Sequence, residues 1–147
     1  MKNLKLGSLL VLVSLVSGLV SAAAVRVPLE LSGTFRWEGK AATGVKLQLS
    51  RVTRLAGNQL LLEGTGEYGE DCTVRFTGRI NRLTLAYTQV ETLLRCKEGS
   101  VNGQYRGTFS SNLKSLKATW FERTGEQGTL ILNASSSGYI LVGEIGK

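Results

Sequence analysis

The residues of this chain whose types and spacing could do chemistry are aromatic rather than ionisable. In NGQYRGTFSSNLKSLKATWFE, residues 102 to 122, Tyr105 and Phe109 alternate with glycines, and Leu116, Ala118 and Trp120 alternate after a polar break. A turn at Asn112-Leu113 would set Phe109 opposite Leu116, Gly107 opposite Ala118 and Tyr105 opposite Trp120, all on one face. Small residues between an aromatic pair and a second apolar pair make a shallow floor with walls, a shape that suits a small flat ligand. The same alternation also fills the taper of a barrel that binds nothing, so the pattern supports a pocket and a plug alike. Trp37, inward by parity at the end of the first patterned run, joins Tyr105, Trp120 and Phe109 as a candidate ligand-binding residue.

Catalysis finds little support. The chain has no His, and Asp71 is its single Asp, which removes Ser-His-Asp and Cys-His nucleophiles and most metal-hydrolase sites. Glu63 and Glu67 fall on the polar face of a strand and Glu70-Asp71 in a turn, where carboxylates are solvated rather than tuned for acid-base work. A cysteine nucleophile would lack a base. No cofactor motif is present, and two thiolates without His are too few for a structural zinc. The expectation is a binding protein, not an enzyme.

A second constellation is basic. Net charge is +7, and +5 without Lys2 and Lys5. Arg75 and Arg79 lie outward on one strand, and Arg106, Lys117 and Arg123 outward on the aromatic hairpin. If these strands are neighbours, they form a face able to hold an acidic partner, although a solvated surface has the same composition. Only Phe121 offers a stacking ring among these charges, which argues against nucleic acid.

The elements that must position these residues read as strands. Met1 to Ala24 has the basic start, apolar run and small-residue end of a secretory signal peptide. The expectation is an exported chain, secreted or periplasmic, whose single domain spans 25–147 and contains no membrane-spanning segment. From Val25 to Trp37 every odd position is apolar or Gly, a half-buried strand with Pro28 near its start. The pattern recurs at Val45, Leu47 and Leu49; at Leu60 to Tyr68 after Gly57-Asn58; and at Cys72 to Ile80. A tight Asn81-Arg82 turn would lead into Leu83, Leu85 and Tyr87. Beyond Tyr87 the apolar parity shifts to Val90, Leu94 and Cys96, which calls for a bulge near Thr88 to Glu91. GTLILN and GYILVGEIG supply the last strands.

Eight or nine regularly spaced strands with short turns predict an all-β fold, an antiparallel up-and-down meander closed into a small barrel. Inward glycines at 33, 64, 66, 78, 103, 107 and 143 suit tightly coiled strands, and pairing the first strand with the last would remove two edges. A membrane-embedded barrel also alternates, but the Gly-interrupted apolar face, short loops and charged GEIGK end speak against it. Cys72 and Cys96 are the only cysteines and, in an oxidising compartment, predict one disulfide. A two-residue turn at Asn81-Arg82 would place Cys72 opposite Glu91, so the bridge requires the intervening segment to loop out.

GQYRGTF followed by LKATW resembles the hairpin of the avidin and streptavidin proteins, secreted eight-stranded barrels that bind biotin. The resemblance is confined to 102–122. It implies a calycin-type, avidin- or lipocalin-like barrel with Trp120 as the apolar wall of its pocket. KEGSVN, just before that strand, departs from the family pattern: Ser100 is its one hydroxyl and Val101 replaces an aromatic. A C-terminal Trp-Lys is also missing, so biotin's own contacts do not carry over.

Overall fold

A computed structural model describes residues 24–97, 103–122, 125, 127–135 and 138–143. Residues 1–23 of the expected signal peptide, Arg123, and Ser100 and Val101 lie outside them. Among the described residues the alternation becomes ten strands and no helix. They are β1 (Val25–Pro28), β2 (Glu30–Trp37), β3 (Thr43–Leu55), β4 (Gln59–Tyr68) and β5 (Cys72–Asn81). These are followed by β6 (Ala86–Cys96), β7 (Gly103–Phe109), β8 (Ser115–Glu122), β9 (Gln127–Ala134) and β10 (Tyr139–Val142). Strands β2 to β9 form a closed antiparallel barrel in chain order, sealed where β2 pairs with β9. The expected up-and-down barrel is present, with eight strands in its wall.

The run from Val25 to Trp37 is two strands rather than one. Pro28 has no N–H with which to carry a ladder onward, and the chain breaks at Leu29. Leu29 N–H then donates to Gly138 and its carbonyl accepts from Leu49 N–H, at 3.0 and 2.8 Å. The first and last strands do pair, β1 with β10, but as a separate ribbon, and closure falls to β2 and β9. Val27 and Val142 of this ribbon are buried in the same core as Leu31 and Leu49. The ribbon thus covers the end of the barrel at which β2 begins and β9 ends.

Inside, side chains fill the barrel, as expected at this strand number. Leu60, Ile80, Leu130 and Leu132 have no exposure at all. Outside stand Lys46, Thr65, Arg75, Thr77, Arg79, Arg106 and Lys117, all exposed. An apolar lumen with a charged exterior is the inverse of a lipid-facing barrel. No helix of the described residues is long and apolar enough to cross a membrane.

The inward glycines separate by physical cause. A Cβ on Gly33 would fall 1.9 Å from the carbonyl oxygen of Ile131, and one on Gly64 2.0 Å from that of Gln48, so backbones approach there too closely for any side chain. Gly78 and Gly128 instead lie under the rings of Tyr87 and Phe35, while Gly103 meets both the Phe121 carbonyl oxygen and the Trp120 ring. Gly143, also expected inward, has open space around it and stands outside the barrel wall.

The β5–β6 hairpin departs most from expectation. Its turn is not Asn81-Arg82 but the four residues 82–85, because Ile80 pairs with Tyr87. Asn81 sets it: its Oδ1 accepts from Leu83 and Thr84 N–H at 2.9 and 3.1 Å, and its carbonyl accepts from Leu85 N–H at 2.7 Å. Side-chain mimicry of a turn by Asn is a local effect that outcompetes the shorter turn. Phe76 consequently faces Glu91. The bulge lies at Leu94, between the Thr73–Arg95 and Val74–Leu93 pairs, and not near Thr88 to Glu91. Cys96 thereby arrives opposite Cys72 within the ladder, and the two form the expected disulfide without the segment looping out. A disulfide is compatible with an extracellular or periplasmic protein.

Candidate functional site

At the end opposite the ribbon, the barrel interior gives way to a cavity of about 220 Å³. Period-two alternation aims one or two residues per strand into it: Phe35 and Trp37 from β2, Tyr68 from β4, Glu91 and Leu93 from β6, Tyr105 from β7 and Trp120 from β8. Thr43, Cys72 and Val74 complete the lining, so one half of the disulfide forms part of the wall. Cross-strand pairing of Tyr105 with Trp120 brings their rings to 4.8 Å. Phe35 stands edge-on to Trp37, Tyr68 and Tyr105 at 5.0, 6.0 and 5.9 Å, the geometry that the ring quadrupole favours.

The hairpin pairings predicted from sequence are all present, including Phe109 with Leu116 and Gly107 with Ala118. Tyr105, Trp120 and Trp37 come together at the cavity. Phe109 does not join them. It lies two rungs away, edge-on to Tyr87 at 5.1 Å, and fills the barrel below. Pocket and plug are therefore both realised, at different levels of one barrel.

The residue missed by sequence reasoning is Glu91. The apolar residues Val90 and Leu94 suggested a parity change, yet they are 53% and 49% exposed, while Gln89 is 1% exposed and Glu91 lines the cavity. Tyr87, Gln89, Glu91 and Leu93 continue one uninterrupted inward parity. That continuity was the available signal, outweighed by hydrophobicity.

Glu91 is held in a chain of polar groups. Gln89 Nε2 donates to its Oε1 at 2.7 Å, Tyr68 donates its hydroxyl to the same oxygen, and Tyr87 donates to Gln89 Oε1. The hydroxyls of Tyr68 and Tyr105 share a further hydrogen bond at 3.0 Å. Burial pushes the Glu91 carboxyl up to about 7, with the Tyr68 and Gln89 hydrogen bonds opposing that rise. Burial likewise raises Tyr68 and Tyr105, so both phenols stay protonated. On the wall, Trp120 Nε1 donates to Glu122 at 3.3 Å. No group of His, Cys, Asp and Glu among the described residues could hold a metal ion.

The other carboxylates weighed from sequence sit outside the cavity. Glu63 bonds Arg51 at 2.6 Å, which lowers the Glu63 carboxyl, and Asp71 meets Lys97 at 3.0 Å in an exposed pair. The basic residues are partly assembled. Arg79 and Arg106 both flank Thr88 across β5, β6 and β7, while Lys117 pairs with Thr108, two residues along β7 from Arg106. Arg75 lies further along β5, and Arg123 lies outside the described residues. Neither the protein-family models nor the curated proteins compared with this chain match it.

Proposed function

We propose that this is an exported, non-enzymatic binding protein of avidin- or lipocalin-like design that holds a small hydrophobic or amphipathic ligand at one end of its barrel. The observation that carries this reading is the aromatic-walled cavity of about 220 Å³. The space equals about seven waters at roughly 30 Å³ each, and lies below the ~300 Å³ at which drug-sized pockets begin. A ligand of about one ring with a short substituent matches it. Both tryptophans of the chain, Trp37 and Trp120, line the cavity, so intrinsic fluorescence reports on this site alone. A screen of single-ring compounds should produce saturable shifts in that emission, lost in Trp120→Phe or crowded out in Val74→Phe. A flat response across apolar, cationic and anionic compounds would overturn the reading.

A second reading has its own support. The outward faces of β5 to β8 carry Arg75, Arg79, Arg106 and Lys117, all exposed, and no carboxylate stands among them on those faces. Such a field suits an acidic partner, as in an inhibitor of a secreted enzyme or an envelope-associated protein. Retention on a sulfated-polysaccharide column should then fall steeply with salt and drop in Arg79→Glu/Arg106→Glu. Elution that ignores both salt and these substitutions would remove it.

A further inference from the structure

The cavity has a sign. Among the described residues Glu91 is the one acidic side chain lining it, and no Lys or Arg lines it. Both hydrogen bonds to this carboxyl end on Oε1, from Tyr68 and Gln89. Ion pairs among the described residues join Lys46 with Glu30, Arg51 with Glu63 and Lys97 with Asp71, and none of these involves Glu91. A carboxylate drawn into an apolar site without a counter-charge is costly, and a cation entering the site would relieve that cost. Beside Thr43, Cys72, Val74 and Leu93, the rest of the wall is ring surface from Phe35, Trp37, Tyr68, Tyr105 and Trp120. Aromatic faces attract cations through their quadrupole. Tyrosine and tryptophan walls with one carboxylate at their edge thus combine two attractions of the same sign.

From this arrangement we infer that the ligand is a small organic cation, an ammonium group carrying an apolar or aromatic body, with the ammonium at Glu91 and the body among the rings. The inference rests on the binding reading proposed above and specifies its ligand class. It also sets the protein's two charged features apart: the outer surface is basic and would attract anions, whereas the cavity selects a cation.

The groups around Glu91 are Gln89 and Leu93 on its own strand, Thr43 from β3, Tyr68 from β4, Phe76, Val74 and Cys72 from β5, Tyr105 from β7, and the β2 and β8 rings. Glu122, which accepts from Trp120 Nε1, is a further acidic group on that wall. The chain contains no His, so among these lining groups only Glu91 changes charge between pH 5 and 8.

The test uses three single-ring probes of closely similar size on the disulfide-intact protein, read by tryptophan emission: benzylammonium, benzyl alcohol and benzoate. At pH 8 the cation should bind at least tenfold more tightly than the alcohol, and benzoate most weakly. Lowering the pH to 5 should weaken the cation about tenfold and leave the alcohol unchanged, a result that requires no variant. Glu91→Gln should abolish the cation's preference while still binding the alcohol. Equal or tighter binding of the alcohol than the cation in the unmodified protein would overturn the inference and leave the pocket standing. A response to none of the three would overturn both. A cation preference that survives pH 5 and Glu91→Gln would show that the rings select alone and remove Glu91 from the site.

Discussion

Glu91 shows how a single side chain couples packing to pH. In the folded protein its carboxyl holds a proton up to about 7, against 4.5 for an unperturbed Glu. Between those values the native state binds more protons than the unfolded chain, so stability falls as pH rises through this window and is lowest above it. The shift sets the size at up to about 3 kcal/mol, less to the extent that water reaches the second oxygen. Thermal melts should therefore show the unliganded protein more stable at pH 5 than at pH 8. Glu91→Gln keeps an acceptor for Tyr68 and cannot ionise, so its melting temperature should be nearly level across that range and exceed the parent's at pH 8. A parent protein equally stable at both values would mean that the carboxyl is ionised throughout. Tyr68 and Tyr105 do not disturb this measurement, since burial keeps both phenols neutral.

At the scale of the strands, the site depends on close backbone approaches and on one turn. β3 carries a bulge between Leu49 and Arg51, and Gly64 pairs with Leu49 beside it, where a Cβ would meet the Gln48 carbonyl oxygen at 2.0 Å. Backbone cannot yield as a side-chain tip can, so Gly64→Ala should cost more than about 2 kcal/mol in urea unfolding. Gly44→Ala, a few residues along β3 with nothing within 4 Å, should change stability by less than about 0.5 kcal/mol. Equal effects from the two would show that β3 and β4 are further apart than their register implies. The β6–β7 ladder is short, running from Ala86–Thr108 to Gln89–Tyr105, so from Val90 onward β6 is held by β5 and by the disulfide at its end. That tether fixes the strand that carries Glu91. Alternation revealed nearly all of these strands, because inside and outside differ in hydrophobicity at each step. It failed between Tyr87 and Cys96, where polar residues point inward and apolar ones outward.

For the whole molecule, the two barrel ends are unlike. One is covered by the β1–β10 ribbon, whose Val27 and Val142 are 2% and 7% exposed, and the other holds the cavity. Leu141 of the same ribbon is 65% exposed on its opposite face. Val27→Asp should consequently cost more than about 3 kcal/mol in chemical denaturation, by burying an unpaired charge, whereas Leu141→Asp should stay within about 0.5 kcal/mol. Comparable losses from both would mean that the ribbon does not cover the core. By itself, the sequence determined the all-β class, the inner and outer faces of most strands, the Tyr105–Trp120 pairing and the cysteine pair. These follow from period-two burial and from short local turns, both readable within a few residues. Tertiary structure decided what depends on register and closure: the break after Pro28, the sealing of β2 onto β9, and the separation of Phe109 from the rings at the cavity. It decided the place of Glu91 as well. The Asn81 turn is two residues longer than the tightest alternative, and that length shifts β6 along β5 to bring Glu91 opposite Phe76, inside the wall that Tyr68 and Tyr105 complete from other strands.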